Sequence, residues 1–201
     1  MAYPAQVTPE KIIAQAIKLI ERDGELSLHE LARELGIKAP SLYRYFASRE
    51  RLVAKVSLAG FRKLAAFIRT ATADAPSLHA AVWAMRRFAR KHPALYRVMN
   101  ESDAQHEDRD EALAATLDIL AASFGGPVPI EALASIQPAF LAVRAYAHGY
   151  IVLELSGQYR GNLDDDFEAG LQVLLAGFQK QISQQERAPR SRPVSAARSR
   201  K

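Results

Sequence analysis

Cysteine is missing from this 201-residue sequence, which excludes disulfides and thiolate zinc sites. Glycine is sparse, at 10 residues, and β-branched runs are few. Ala, Leu, Glu and Arg dominate instead, a balance that favours helix over sheet. No run of about 18 apolar residues occurs, so no membrane span is expected. The opening residues, MAYPAQVTPEK, lack the basic-then-apolar profile of a secretory signal, and with the missing cysteine this points to the cytoplasm.

Catalytic signatures are missing as well. The histidines His29, His79, His92, His106 and His148 form no HExxH and no paired metal spacing. Phosphate-loop, dinucleotide and nucleophile-elbow patterns do not occur. Ser102-Asp103 near His106 falls in a polar, acidic stretch that reads as a loop, not a triad. No enzyme, metal or cofactor is expected.

What is present is a globular composition, 49% hydrophobic, with an uneven charge. Residues 1–63 hold 11 Lys/Arg against 7 Asp/Glu, residues 64–186 hold 10 against 15, and residues 187–201 hold 6 against none. A basic front on an acidic body suits a DNA-reading head on a self-associating, ligand-sensing body.

Residues 26–46, LSLHELARELGIKAPSLYRYF, organise the rest. Leu28, Leu31, Ala32 and Leu35 recur at helical spacing. Ser27 and Glu30 form the capping-box pair, and Gly36 suits the left-handed end of that helix. A second helix opens at Lys38-Ala39-Pro40-Ser41, with proline in the first turn, where its missing N–H costs nothing. Leu42 and Phe46 face inward, leaving Ser41, Tyr43, Arg44 and Tyr45 outward. A short helix of this kind fits the DNA major groove, its first turn reaching base edges.

Together with its flanks, this stretch resembles the tetracycline-repressor (TetR) family of bacterial transcription regulators. The resemblance is carried by residues 13–16, Gly24, Leu26-Ser27-Leu28, Leu31-Ala32, Leu35-Gly36-Ile37, Leu42-Tyr43-Arg44-Tyr45-Phe46, Ser48-Arg49-Glu50 and Leu52, and spans about residues 8–55. Arg49 stands where the family usually has lysine, and Tyr45 where it often has histidine; both can still donate to phosphate. The resemblance implies an all-α dimer that reads a palindromic operator in a bacterial cytoplasm. It also implies a helix linking head to body whose tilt moves the reading helices. The contact set expected on DNA is Ser27, Lys38, Ala39, Pro40, Ser41, Tyr43, Arg44, Tyr45, Ser48 and Arg49. Lys38, Arg49, Tyr43 and Tyr45 are assigned to phosphate, Ser41 and Arg44 to base edges.

Outside that stretch, Thr8 and Pro9 start a first helix that Asp23-Gly24 stops. Ser48 caps a helix running to about residue 70. Further helices are expected over residues 78–91, 93–100 and 111–124, with a loop at 102–110. Gly125-Gly126-Pro127 breaks the chain. A long helix follows from Ile130 to residue 155 or 156, bent or restarted near Pro138, and then a loop at 157–162. The last helix, with Leu163-Asp164 as staple and cap, ends near residue 184. About nine helices result. The head is assigned to residues 1–50 with its connecting helix at about 48–70, the sensing and dimerisation body to 71–186, and a disordered basic tail to 187–201.

Two apolar stripes point to a four-helix homodimer interface. One runs through Phe140, Val143, Ala147, Ile151 and Leu155. The other follows Phe167, Leu171, Leu174, Leu175, Phe178 and Ile182, with Gly170, Val173 and Gly177 allowing close approach. Arg144 and Glu154 are expected to face water or to pair across the dimer. Arg144–Tyr150 (RAYAHGY) resembles an aromatic-x-His-Gly element of one body subtype of the family, without its usual tryptophan. Trp83, Met85, Phe88, Tyr96, Met99, Phe124, Phe140, Tyr146 and His148 are candidates for lining a pocket for a small, largely apolar effector, each weighed against a plain core role. The reading is a DNA-binding regulator, a repressor released by that effector. The alternative is a helical scaffold without sequence-specific DNA binding.

Overall fold

The computed structural model describes residues 7–101, 109–127, 129–158 and 161–187. Among them are eight α-helices, one 3-10 helix and no strand. They are α1 (Pro9–Asp23), α2 (Leu28–Glu34), the 3-10 helix (Ala39–Arg44), α3 (Arg49–Ala71), α4 (Leu78–Lys91), α5 (Pro93–Glu101), α6 (Arg109–Phe124), α7 (Ile130–Leu155) and α8 (Leu163–Arg187). The loop expected at 102–110 lies mostly outside the described residues, and Arg109 and Asp110 already belong to α6. All of the expected tail but Arg187 also lies outside them. The chain forms two compact units, residues 1–160 and 161–201.

Local chemistry sets the helix ends. Thr8 Oγ1 accepts from the Lys11 amide at 3.3 Å, and Pro9 opens α1. Gly24, at φ 84°, closes α1 by donating its N–H to the Ile20 carbonyl. Ser77 caps α4 in the same way, accepting from the Ala80 amide at 3.1 Å.

Within residues 1–160, α3 is the central mast. It packs against α1, α4, α5 and α6 and buries Leu52, Val56, Leu58, Leu64 and Ile68. Gly60, also buried, lets α5 come close: a Cβ there would stand 2.5 Å from Met99 Cγ and 3.3 Å from Leu95 Cδ1. Gly60→Ala is therefore expected to destabilise by about 1–3 kcal/mol through overpacking, although alanine is the better helix former. A denaturant midpoint at or above wild type would contradict this; in a Met99→Ala background, where the clashing side chain is gone, the same substitution should cost less.

A buried ion network joins α4 to α7. Arg86 is fully buried; its Nε lies 2.8 Å from Glu154 Oε2, and Arg90 Nε lies 2.6 Å from Glu154 Oε1. The Arg86 guanidinium also lies over the rings of Trp83 and Tyr150, at 5.1 and 5.5 Å. Glu154 thus pairs inside the protomer, not with water or across a dimer as its position in the sequence suggested.

The long helix α7 runs unbroken through Pro138, so no restart occurs there. It is apolar on two faces. Phe140, Val143, Ala147 and Ile151 are buried in the protomer, while Leu141, Val152, Leu153 and Leu155 are exposed. This corrects the interface expectation. Four of the five stripe residues belong to the core, and the free face is the neighbouring one, through Leu141, Ala142, Ala145, Gly149 and Leu153. Apolar periodicity could not choose between two apolar faces.

In α8, the cap falls two residues earlier than expected: Asn162 Oδ1 accepts from the Asp165 amide at 3.4 Å. Asp164, Asp165 and Asp166 fill the first turn, at the favourable end of the helix dipole. Phe167 and Leu171 are buried, Gly170, Leu174 and Phe178 half-buried, and Val173 is 74% exposed. Open space surrounds Gly177. The Ile182 side chain lies outside the described residues.

Candidate nucleic-acid interface and effector chamber

The reading surface is built by two caps and a turn. Ser27 Oγ accepts from the Glu30 amide at 3.3 Å to start α2. At its end Gly36 takes φ 67°. The Ile37 amide donates to Ala32 O and the Gly36 amide to Arg33 O, the paired bonds of a Schellman ending. The chain then turns into the Ala39–Arg44 segment, which is a 3-10 helix where an α-helix was expected. Six residues with Pro40 near the start leave little room for an i−4 ladder, and i−3 bonds such as Ser41 N–H to Lys38 O at 2.8 Å take over.

The inward and outward division is as the spacing implied. Leu42 and Phe46 are buried. Tyr43 is 53% and Tyr45 40% exposed, with Lys38, Pro40, Arg44 and Arg49 also exposed and Ala39, Ser41 and Ser48 half-buried.

The start of α3 is less open to phosphate than its sequence suggested. Ser48 Oγ accepts from the Arg51 amide at 3.2 Å. The Glu50 carboxylate is held below its usual range by a backbone hydrogen bond and by Ser48, so it occupies part of the same positive helix end. Ser27 is exposed but likewise spends its oxygen on its own cap.

The head is tied to the body at two points the sequence did not flag. Glu21 Oε1, at the end of α1, receives Lys63 Nζ at 2.6 Å from α3 and lies 2.8 Å from His92 Nδ1. Arg97 Nη2, on α5, donates to the Gly24 carbonyl at 2.6 Å. Burial and the nearby Lys63 charge push the His92 pKa down against the pull of Glu21.

Next to Arg97 on α5, Tyr96 walls a partly open chamber between α3, α4, α6 and α7. Its lining includes Leu64, Ile68, Val82, Phe140, Val143 and Arg144. Its volume is about 40 Å3, enough for a few waters. Tyr96 Oη lies 3.0 Å from His148 Nδ1. Burial pushes the Tyr96 hydroxyl up to about 12 and, with the Arg144 charge, pushes His148 down. Of the candidate pocket residues, Met85, Tyr96, Phe140 and His148 line this chamber. Five others are placed elsewhere. Phe88 is core, stacked near Phe67 and His92; Met99 packs at Gly60; Trp83 faces Arg86; Tyr146 neighbours Tyr150; and Phe124 is exposed.

A short two-helix reading unit with an exposed basic and aromatic surface, carried on a helical body with a partly open chamber, defines a DNA-binding transcriptional regulator. Residues 12–56 match the model of bacterial regulatory proteins of the tetR family, and residues 78–178 match that of the tetracyclin repressor-like C-terminal domain. The chain belongs to the TetR family, whose members are regulators and not enzymes. It is 27% identical over 172 residues, 78% of this chain and 74% of the relative, to an uncharacterized HTH-type transcriptional regulator, Rv0681, of Mycobacterium tuberculosis. It is also similar to BioQ, solved with its double-stranded DNA operator, at 26% identity and a TM-score of 0.60 over 86% of this chain and 98% of that one. The Streptomyces coelicolor protein ActR, solved with (S)-DNPA, shares the fold: 17% identity and a TM-score of 0.61 over 87% of this chain and 98% of that one. Among the described residues, no helix is long and apolar enough to cross a membrane.

Proposed function

We propose that the protein is a cytoplasmic homodimeric repressor that leaves a palindromic operator when a small, largely apolar effector enters the body. The observation that carries the reading is the outward set Tyr43, Arg44 and Tyr45 on a segment pinned by buried Leu42 and Phe46. The head is residues 1–50 and the body 71–186. BioQ lends support as a relative solved on an operator, and ActR as a neighbour solved with a small molecule. Lys38, Arg49, Tyr43 and Tyr45 contact phosphate, while Ser41 and Arg44 reach base edges, Arg44 reading guanine. Ala39 and Pro40 bring the backbone close to the duplex, and Ser27 and Ser48 present the first turns of their helices.

The route from effector to DNA runs along α5. Tyr96 walls the chamber, and the next residue, Arg97, holds the last carbonyl of the α1 cap. An effector that displaces Tyr96 pulls on that link and shifts the head.

The test uses fluorescence anisotropy on a set of operator variants. Arg44→Ala should lose about 1–3 kcal/mol on the preferred operator and little on variants altered at one base pair. Arg49→Ala should weaken all sequences alike and lower the salt slope by about one. Identical profiles for the two mutants would overturn this division of roles.

A further inference from the structure

Arg144 is out of place in a chamber otherwise lined by residues such as Leu64, Ile68, Val82 and Phe140. Among the described residues no carboxylate lies within ion-pair distance of it; its guanidinium lies 5.9 Å from the Phe61 ring centroid. An aromatic face compensates a half-buried cation only in part. Three groups that can donate hydrogen bonds, Tyr96, Asn100 and His148, share the chamber with it. We infer that the effector is an amphipathic carboxylic acid, its carboxylate against Arg144 and these donors and its apolar chain in the chamber. This deepens the effector reading above and rests on it.

The alternatives fit less well. A cationic ligand would meet the Arg144 charge, and a neutral one would leave it uncompensated. A carboxylate gains charge-assisted hydrogen bonds there. Arg144, Tyr96 and His148 line the same chamber, and Tyr96 Oη and His148 Nδ1 lie 3.0 Å apart.

Room for the chain comes from the partition. Tyr96, Asn100 and His148 line both the chamber and a neighbouring cleft of about 630 Å3 between α5, α7 and Gly24. The Tyr96–His148 hydrogen bond lies in the wall the two spaces share, so an apolar chain that parts it gains the larger space. Met85, unbranched and flexible, can yield on the inner side. Glu101 lines the cleft and not the chamber, so an acid head is favoured inside.

The test is calorimetric titration of the full chain with decanoate and with phenylbutyrate, each against its primary amide. The acids should bind at least about tenfold more tightly than the amides. Arg144→Met should erase the difference, and Arg144→Lys should keep most of it; thermal melts report whether each variant is folded. The inference is overturned if neither acid binds, if the amides bind equally, or if folded Arg144→Met keeps the preference. An amide that binds and releases the operator sinks the acid assignment and leaves the effector reading standing. Acids that bind through Arg144 but leave operator affinity unchanged support the acid site and sink the effector reading.

Discussion

Glu154→Ala is expected to cost about 3–5 kcal/mol, the toll of leaving a buried charge without its counterion. Arg86 is the charge in question, its side chain 1% exposed against 9% for Glu154. At roughly 2–4 °C per kcal/mol for a chain of this length, the melting temperature should fall on the order of 10 °C. Arg90, whose side chain is 42% exposed, can solvate itself and adds little. Replacing both buried partners by apolar residues, Arg86→Met with Glu154→Leu, should return most of the stability, because the pair's desolvation cost goes with it. The pH dependence carries a sign. Burial alone would raise the Glu154 pKa, but hydrogen bonds from Arg86 and Arg90 outweigh it and hold the carboxyl below 4.5. Its contribution is thus complete above 4.5 and is lost as pH falls through the lowered value. The gap between wild type and Glu154→Ala should persist from neutral pH to 4.5 and close below it. A melting temperature within about 2 °C of wild type at pH 7 would show that the pair is not structural.

What could be read in the sequence was what local chemistry decides. Thr8-Pro9, Ser27 with its Gly36 ending, and Ser48 each fix a helix terminus through atoms three to five residues away, and each stands where expected. The outward placement of Tyr43, Arg44 and Tyr45 followed from Leu42 and Phe46 alone. What escaped depended on distant partners. Nothing near Glu154 announces Arg86, 68 residues earlier, and nothing near Gly24 announces Arg97. Residue type alone does not separate Phe88, wedged in the core, from Phe140 on a chamber wall. The 3-10 form of the reading segment is not legible in the sequence, because proline at a helix start is compatible with either winding.

The α7 helix is where sequence and structure part most sharply, and it sets the second large expected effect. Leu153→Glu should dissociate the dimer while leaving the protomer folded. Leu153 is 47% exposed, so a carboxylate there stays in water in the free chain and costs the fold little. In a two-fold interface each substitution appears twice, on self-complementary patches. Two unpaired carboxylates would then be desolvated beside one another, at a cost of several kcal/mol. Ala145 and Gly149, exposed on the same face with open space around Gly149, are small enough for a partner helix to approach closely. Val173→Glu tests the exposed stripe of α8 separately. Operator affinity should fall with dimerisation. Two heads on one dimer bind the second half-site at high effective concentration, and losing that link costs about 10²–10⁴-fold. Ile151→Ala is the informative contrast. Ile151 is 1% exposed, so its loss should lower stability by about 2–5 kcal/mol and leave the dimer intact at temperatures where the chain is folded. Sedimentation velocity and operator titration together separate the two outcomes. If Leu153→Glu still sediments as a dimer and Ile151→Ala as a monomer, the inner stripe is the interface after all, and the core assignment of Phe140, Val143, Ala147 and Ile151 fails with it.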